Sequence, residues 1–199
     1  MNKHTIDLKL KKALTKNRYE HTLNVVKVAE SLALRYHANV DKASHAALLH
    51  DCAKNFSDAQ LIEYAEAQGL KIDPVTRLEP QLLHGPVGVL VAKNTYGVTD
   101  KQVLNAIQNH TTGRKNMSKL EKIIYLADFI ESGRTYPGVD ELRIAAFEDL
   151  DKAVILALTN TIRHVSLMNG LIHKRTIDAR NDLIIKELKK IEKKAGDYY

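Results

Sequence analysis

The sequence predicts an all-α protein, and three observations lead to this fold class. Apolar residues recur at helical spacing along nearly every segment. Capping boxes, in which Ser or Thr is followed three residues later by Gln or Glu, begin at Ser57, Thr99 and Ser118. We find no strand-like alternation, no internal repeat and no low-complexity tract. With 199 residues, 44% of them apolar, the chain suits a single compact domain over residues 1–199.

The first half of the chain is expected to form three long helices. Residues 18–36 carry apolar side chains along one face. Asp41 is expected to cap a second helix that runs to about Lys54. The Ser57 box then begins a third helix, which Gly69 can end.

A turn-rich segment, "KIDPVTRLEP", separates these helices from the rest. A short apolar run then ends at His84, and we place Pro86 at the first position of the following helix. Thr99 is expected to open the next helix, which reaches His110. The last three helices are expected over residues 118–133, 148–173 and 177–194, with a loop over residues 133–142.

The charge of the chain is +6, from 30 Lys and Arg against 24 Asp and Glu. The excess could meet an anionic ligand such as a nucleotide or RNA. Alternatively, the lysine-rich stretch "KELKKIEKKAG" is the solvated face of a helix. We favour the solvated face for this stretch, because apolar residues can supply an inner face opposite the lysines: Leu183, Ile184, Ile185, Leu188 and Ile191.

Cysteine content and hydropathy indicate a cytoplasmic protein with no membrane partner. The single cysteine, Cys52, excludes an internal disulfide and is interpreted as a packing residue in a reducing cytosol. The stretch "MNKHTIDLKLKKAL" lacks the apolar core of a signal peptide. No run of about 18 apolar residues occurs that would predict a membrane span.

Ionisable side chains extend the inward faces of three predicted helices. His21 continues the apolar face of its helix, and His50, with Asp51 beside it, continues a face of alanines. Asp128 continues a third such face. A lone inward histidine is usually a satisfied core residue, but buried ionisable groups need a metal or good hydrogen bonds. Four of them on three helices indicate a metal site between facing helices.

His84 and His110 are expected at helix ends beside loops, in "LLHGP" and "NHTTG". Helix ends border clefts, so these two could complete the same site, although their position alone is equally consistent with a structural role. The other histidines show no such pattern and are interpreted as surface or packing residues: His4, His37, His45, His164 and His173.

The order of these residues resembles the H…HD…H…H…D signature of HD-domain metal-dependent phosphohydrolases, and "HDCAK" resembles its HDxxK variant. Between about residues 17 and 145, the stretches "RYEHTLNV", "LLHDCAKN", "LLHGPVG", "NHTTG", "KIIYLADFIESGRTYPGV" and "ELR" resemble the YqeK family. Members of that family split diadenosine tetraphosphate symmetrically into two ADP. The resemblance implies an HD-domain helical bundle, with a metal-site core over about 17–135 and C-terminal helices over about 136–199 packed on it.

The resemblance further implies two divalent metal ions. One ion would be held by His21, His50, Asp51 and Asp128. Asp51 would bridge to a second ion, held by His84 and His110. The family implies iron, and the imidazole and carboxylate donors are also consistent with Mn, Co or Zn, and less so with Mg or Ca. Because neighbouring helix residues point about 100° apart, His50 could face one ion while Asp51 spans both.

Asp51 and Lys54 are the residues expected to carry the chemistry. A metal-activated hydroxide would attack an inner phosphorus and expel ADP. Lys54 lies one helical turn beyond His50, so its ammonium could reach the phosphates. Arg18, Arg134 and Arg143 are further candidates for phosphate contacts.

Two rival functions remain open at this point. Another HD phosphohydrolase, acting on an alarmone, a dNTP or a phosphomonoester, would use the same ligands. A non-catalytic RNA-binding module would explain the charge of +6, but a chain with no Trp and only 3 Phe offers little aromatic surface for bases. The expected partner is therefore a nucleotide rather than a nucleic acid, and a homodimer is expected by resemblance only.

Overall fold

A computed structural model describes residues 3–196, and within this range the chain is helical and contains no strand, which confirms the all-α prediction. In chain order the elements are α1 (Lys3–Ala13), α2 (Lys16–Arg35), α3 (Val40–Leu49), α4 (Asp58–Ala67), α5 (Pro74–Leu78), a 3-10 helix (Pro80–Leu83), α6 (His84–Asn94), α7 (Lys101–Asn109), α8 (Lys119–Ile130), α9 (Val139–Glu148), α10 (Leu150–Leu167) and α11 (Lys174–Gly196).

The helices that carry the predicted site pack at the centre of the molecule. α2 packs against α3 and α8, both of these pack against α7, and α6 packs on α7. Ala43, Ala46 and Ala47 of α3 are fully buried, so their small side chains let neighbouring helices approach closely. α10 packs on α8, α9 and α11, which places the C-terminal helices against the central group. The division of residues 1–199 into a core and a C-terminal part of one domain stays a prediction.

Two of the three predicted capping boxes are present, and the one at Thr99 is not. Ser57 accepts the backbone N–H of Gln60, and Ser118 accepts that of Glu121. Two other predicted starts are wrong by one or two residues. The cap of α3 is Asn39 rather than Asp41, and the cap of α7 is Asp100 rather than Thr99. In both places two neighbouring side chains could cap, and the one that the backbone turn directs at the free N–H groups does so.

Several predicted boundaries are also wrong. α3 ends at Leu49 rather than near Lys54, and the chain continues through turns. α6 begins at His84, so Pro86 is its third residue and not its first. The predicted loop 133–142 is shorter, because α9 already begins at Val139, and the predicted helix 148–173 is shorter, as α10 (Leu150–Leu167). α1, α5, the 3-10 helix and α9 were not predicted.

The lysine-rich end of α11 does not bury the apolar inner face that the sequence predicts for it. Leu183 is buried, but Ile185, Leu188 and Ile191 are 52%, 54% and 62% exposed. Among the described residues, only the first part of α11 therefore buries its apolar face, while Lys190 further along pairs with Asp151 of α10. Between residues 3 and 196, no helix combines the length and the apolar character that a membrane crossing needs.

Candidate metal centre

The structure brings together all six side chains that the sequence analysis proposed as metal ligands. They come from five helices or their ends: His21 on α2, His50 and Asp51 at the end of α3, His84 at the start of α6, His110 at the end of α7, and Asp128 on α8. Four of the six are buried, and the other two are partly buried. We call this group the His/Asp cluster.

Asp51 lies between two pairs of histidines. Its Oδ2 is 3.7 Å from His50 Nε2 and 4.0 Å from His21 Nε2. Its Oδ1 is 3.3 Å from His84 Nε2 and 3.6 Å from His110 Nε2. Each carboxylate oxygen thus faces its own pair of imidazole nitrogens, which is the arrangement that a carboxylate bridging two ions needs.

Three of the four histidines are oriented by the same local hydrogen bond. The Nδ1 of His50 bonds to the carbonyl of Ala47, and that of His110 bonds to the carbonyl of Ile107, both at 2.7 Å. His84 bonds in the same way to the carbonyl three residues before it. With Nδ1–H donating outward, each Nε2 lone pair is directed into the cluster, and this tautomer is the one that ligates a metal.

His21 is oriented differently, by a residue that the sequence analysis missed. Its Nδ1 lies 3.2 Å from Oε1 of Glu131, a carboxylate that is 3% exposed. His21 is inside α2, where backbone carbonyls are already bonded within the helix, so it needs a side-chain acceptor. Glu131 directly follows the last residue of α8 and lies three residues after Asp128, on the side of the helix that faces inward, and this spacing could have identified it.

Thr111 is a second residue that sequence reasoning missed. Its hydroxyl oxygen lies 3.2 Å from His84 Nε2 and 3.3 Å from His110 Nε2. Its position directly after His110 is the only sequence signal for it. The turn that follows is tight, because Gly113 has a φ of 64°, in the left-handed region that favours glycine.

The electrostatics of the cluster suit metal binding. Burial lowers the pKa of His50, and burial together with the neighbouring His110 lowers the pKa of His84 to about 3. Both rings are therefore neutral ligands at neutral pH. Burial alone would raise the pKa of Asp51 and of Asp128, but the surrounding histidines outweigh it and hold both pKa values below the usual range. Both carboxyls are ionised.

The donor set fits divalent metal. Three overlapping groups have ligand atoms that all lie within 4.8 Å of one another: His21, His50 and Asp51; His50, His110 and Asp128; and Asp51, His84 and His110. Imidazole nitrogens mixed with carboxylate oxygens suit iron, manganese, cobalt or zinc better than magnesium or calcium. The residues present therefore fit the divalent metal that the sequence analysis expected.

Three predicted phosphate contacts border the cluster. Arg18 Nη1 is 3.1 Å from Asp51 Oδ2, and Arg134 Nη2 is 2.5 Å from Asp128 Oδ1. Lys54 Nζ lies 3.1 Å from His84 Nδ1. All three cations can therefore meet an anion at the cluster.

Arg143 is not brought into the site. Its guanidinium donates to the backbone carbonyls of Ile130, Glu131 and Arg134 and pairs with Asp140. Arg143 does not line the cleft beside the cluster, so its predicted contact with the substrate stays a prediction. The side chain instead fixes the turn after α8, and through that turn it supports Arg134.

A cleft of about 410 Å³ opens from the cluster, a size typical of ligand pockets. Arg18, Lys54 and Arg134 line its polar end. Its other wall is apolar and comes mainly from α10 and the segment after it: Phe129, Ile162, Val165, Leu171 and Ile172. His173, interpreted from sequence as a surface or packing residue, also lines the cleft, where its Nε2 lies 3.1 Å from Asp73 Oδ2.

An all-α bundle in which helices and helix ends bring four histidines and two aspartates together defines the HD-domain class. A family model described as the HD domain matches residues 18–133. A solved structure from Clostridium acetobutylicum, of a predicted HD superfamily hydrolase involved in NAD metabolism, superposes with a TM-score of 0.91 at 45% identity. That superposition covers 94% of this chain and 98% of the other.

Curated relatives narrow the class. The symmetrical bis(5'-nucleosyl)-tetraphosphatase of Halalkalibacterium halodurans is 40% identical over 89% of this chain and 95% of its own length. The enzyme of the same name from Bacillus subtilis is 38% identical over 92% of this chain and 98% of its own. The chain therefore belongs to the YqeK family of HD-domain symmetrical tetraphosphatases.

Proposed function

We propose that this chain is a metal-dependent hydrolase that cleaves diadenosine tetraphosphate symmetrically. Water adds to one of the two inner phosphorus atoms, and the bond from that phosphorus to the central bridging oxygen breaks. The bridging oxygen leaves with the second half, a proton is released, and the products are two ADP. The observation that carries the proposal is the position of Asp51 between two histidine pairs, beside three cations, in a chain similar to tetraphosphatases.

We assign the six clustered side chains to two ions. Asp51 Oδ2 with His21, His50 and Asp128 would hold one, and Asp51 Oδ1 with His84 and His110 the other. When bound, such a pair supplies an activated water and neutralises charge on the phosphoryl oxygens.

The protein's own groups position the tetraphosphate. Arg18 and Arg134 can each give two parallel hydrogen bonds to phosphate oxygens, and Lys54 gives a point charge at the cluster. Phosphoryl transfer gains mainly from positioning and from fixed charge, so these cations are expected to stabilise the transition state as well as to bind substrate. The apolar wall of the cleft offers a surface for one adenosine and excludes water from the reacting end.

A nucleotide panel tests the proposal. Purified protein with measured metal content is incubated with diadenosine tetraphosphate, an alarmone, dNTPs and a phosphomonoester. ADP as the sole product from the dinucleotide supports symmetrical cleavage, whereas AMP plus ATP contradicts it. Turnover of the other substrates alone would favour the rival phosphohydrolase.

Asp51→Asn, which keeps the shape of the side chain, is expected to lose bound metal and turnover together, because it removes the shared charged ligand. Asp41→Asn is the matched control, since Asp41 is exposed and outside the cluster. An Asp51→Asn protein with unchanged metal content and activity would refute the assignment. Salt-dependent RNA binding that survived this substitution would favour the RNA-binding rival.

Three finer expectations from the family resemblance complete the proposal. We propose that the ions are iron, that the protein forms a homodimer, and that it acts in the cytoplasm. Metal analysis of protein purified without added metal tests the first. Light scattering at several concentrations tests the second, and cell fractionation tests the third.

A further inference from the structure

A second cavity reaches the His/Asp cluster from the side of α2. Its volume is about 550 Å³, and it is lined by Thr15, Asn17, Glu20, His21, Asn24 and the turn at Glu131 to Arg134. We call it the α2 groove. It shares Arg18 and Arg134 with the cleft described above, and it includes the cluster residue His21. The two cavities therefore meet at the cluster, with the two arginines at their common border.

Symmetrical cleavage imposes a requirement on the site. The scissile bond is at the centre of the tetraphosphate, so two identical halves, each with an adenosine, must extend from the cluster in two directions. The cleft with the apolar wall can hold one half. The second half needs another cavity that begins at the cluster and is large enough for a nucleoside.

The α2 groove meets this requirement better than the cavity on the other side. That cavity, about 290 Å³, adjoins the cleft at Thr111 and His173. Its lining includes none of the six residues of the His/Asp cluster. A tetraphosphate centred on the cluster would have to pass Thr111 to enter it, whereas the α2 groove begins at His21 itself.

The polar groups of the α2 groove suit the parts of a nucleotide. Arg18 and Arg134, at the end beside the cluster, suit phosphate. Asn17 and Asn24 lie on the same face of α2 as His21, four residues before it and three residues after it. Neither amide has a hydrogen-bond partner within residues 3–196.

Amides and carboxylates are the groups that recognise nucleosides. An asparagine amide can pair with both the N6 and the N7 of adenine. A carboxylate in a nucleotide site accepts hydrogen bonds from ribose hydroxyls. Glu20 offers one, since its only ion pair among the described residues is a long contact of 3.9 Å with the exposed Lys16.

We infer that the α2 groove is a second nucleoside subsite, in which Asn17, Asn24 and Glu20 bind the adenosine of the second half. This inference rests on the proposed function. In it, Arg18 and Arg134 hold the inner phosphates on both sides of the scissile bond, and two filled subsites centre the tetraphosphate on the cluster.

The test compares two substrates that share one phosphate chain. Diadenosine tetraphosphate has two nucleosides, whereas adenosine 5'-tetraphosphate has one and is expected to yield ADP and pyrophosphate. In the double variant Asn17→Ala with Asn24→Ala, KM for the dinucleotide is expected to rise about tenfold at unchanged kcat, because two hydrogen bonds made equally in ground and transition state are lost. KM for adenosine tetraphosphate should stay within about twofold of wild type.

Lys27→Ala, on the exposed side of the same helix, is the matched control and should change neither KM. Thermal melting checks that the double variant is folded. If it is unstable, the single variant Asn17→Ala, at an exposed position, replaces it in the test. Equal changes in both KM values, or no change in either, would overturn the subsite while leaving the proposed function intact. Wild-type protein that forms no ADP from the dinucleotide overturns the proposed function and this inference with it.

Discussion

Replacing Glu131 by Gln tests how His21 is oriented, because His21 is the one histidine of the cluster that a side chain orients. The two oxygens of Glu131 have separate donors: Oε1 faces His21 Nδ1 at 3.2 Å, and Oε2 accepts the backbone N–H of Gly133 at 2.6 Å. Glutamine has the same shape but only one acceptor oxygen. Its NH₂ group must therefore face either His21 or Gly133, and one of the two existing hydrogen bonds is lost.

The size of the effect follows from this choice. If the oxygen stays with Gly133, the NH₂ donates to His21 Nδ1 and moves the ring proton to Nε2, where it blocks metal binding. If the glutamine oxygen stays with His21, the NH₂ group faces the backbone N–H of Gly133, and that N–H loses its acceptor. Hydrogen bonds to charged groups contribute about 1.5–3 kcal/mol, and lost carboxylate partners of metal-binding histidines typically cost 10–100-fold in affinity. We therefore expect a 10–100-fold weaker metal affinity for Glu131→Gln.

The assay is a competition titration with a metal-binding dye, with turnover measured in parallel. Glu63→Gln, on the exposed face of α4, is the matched control and should bind metal as wild type does. Circular dichroism shows whether the helical fold is intact. A folded Glu131→Gln protein whose metal affinity is within twofold of wild type would refute the reasoning.

Further predictions concern the stability of the fold and its one thiol. Removing metal with a chelator should lower Tm by roughly 5–11 °C. A ligand at 100 times its Kd stabilises the folded state by about 2.7 kcal/mol, and each kcal/mol shifts the Tm of a chain of this size by about 2–4 °C. An unchanged Tm would contradict metal binding by the folded state. Gly85→Ala should destabilise by about 1–3 kcal/mol in urea unfolding, because the added Cβ meets the Gln108 carbonyl oxygen at 2.7 Å. Gly88→Ala, whose Cβ meets Ile107 at an ordinary 3.4 Å, should be neutral or stabilising by up to about 1 kcal/mol, and equal effects of the two would contradict the steric argument. Cys52, buried and with a pKa raised by burial to about 12, should react with iodoacetamide in urea but hardly in the folded protein; rapid labelling of folded protein would contradict this.

Local chemistry explains which parts of the fold were predictable. The capping boxes at Ser57 and Ser118 involve residues three apart, so the sequence contains the whole interaction. The end of α3 was not predictable in this way. Ala53 is fully buried although it lies beyond the helix, so the apolar pattern continues through the turn and periodicity gives no sign of the change.

Long-range contacts explain which site residues were missed and why one proposed residue, Arg143, lies outside the cluster. The six members of the cluster could be proposed because motif spacing and inward helical faces pointed to them. The role of Arg143 could not be read from sequence, because only the tertiary structure shows that its guanidinium is occupied by backbone carbonyls of the turn after α8. The apolar wall of the cleft was missed for a similar reason, since Val165 and Leu171 have no signal that distinguishes them from ordinary apolar residues of a helix and its end.

The adjacency of His50 and Asp51 follows from the helix end rather than from a helical face. The last carbonyls of a helix have no N–H partner within it, and the carbonyl of Ala47 accepts His50 Nδ1–H instead. The same i−3 bond recurs at His110, where α7 ends. Ending the helix at the histidine therefore satisfies a free carbonyl, selects the ligating tautomer and, at α3, lets the next residue, Asp51, turn toward both histidine pairs. His21, in mid-helix, has no free carbonyl, and this is the physical reason that Glu131 is needed at that position alone.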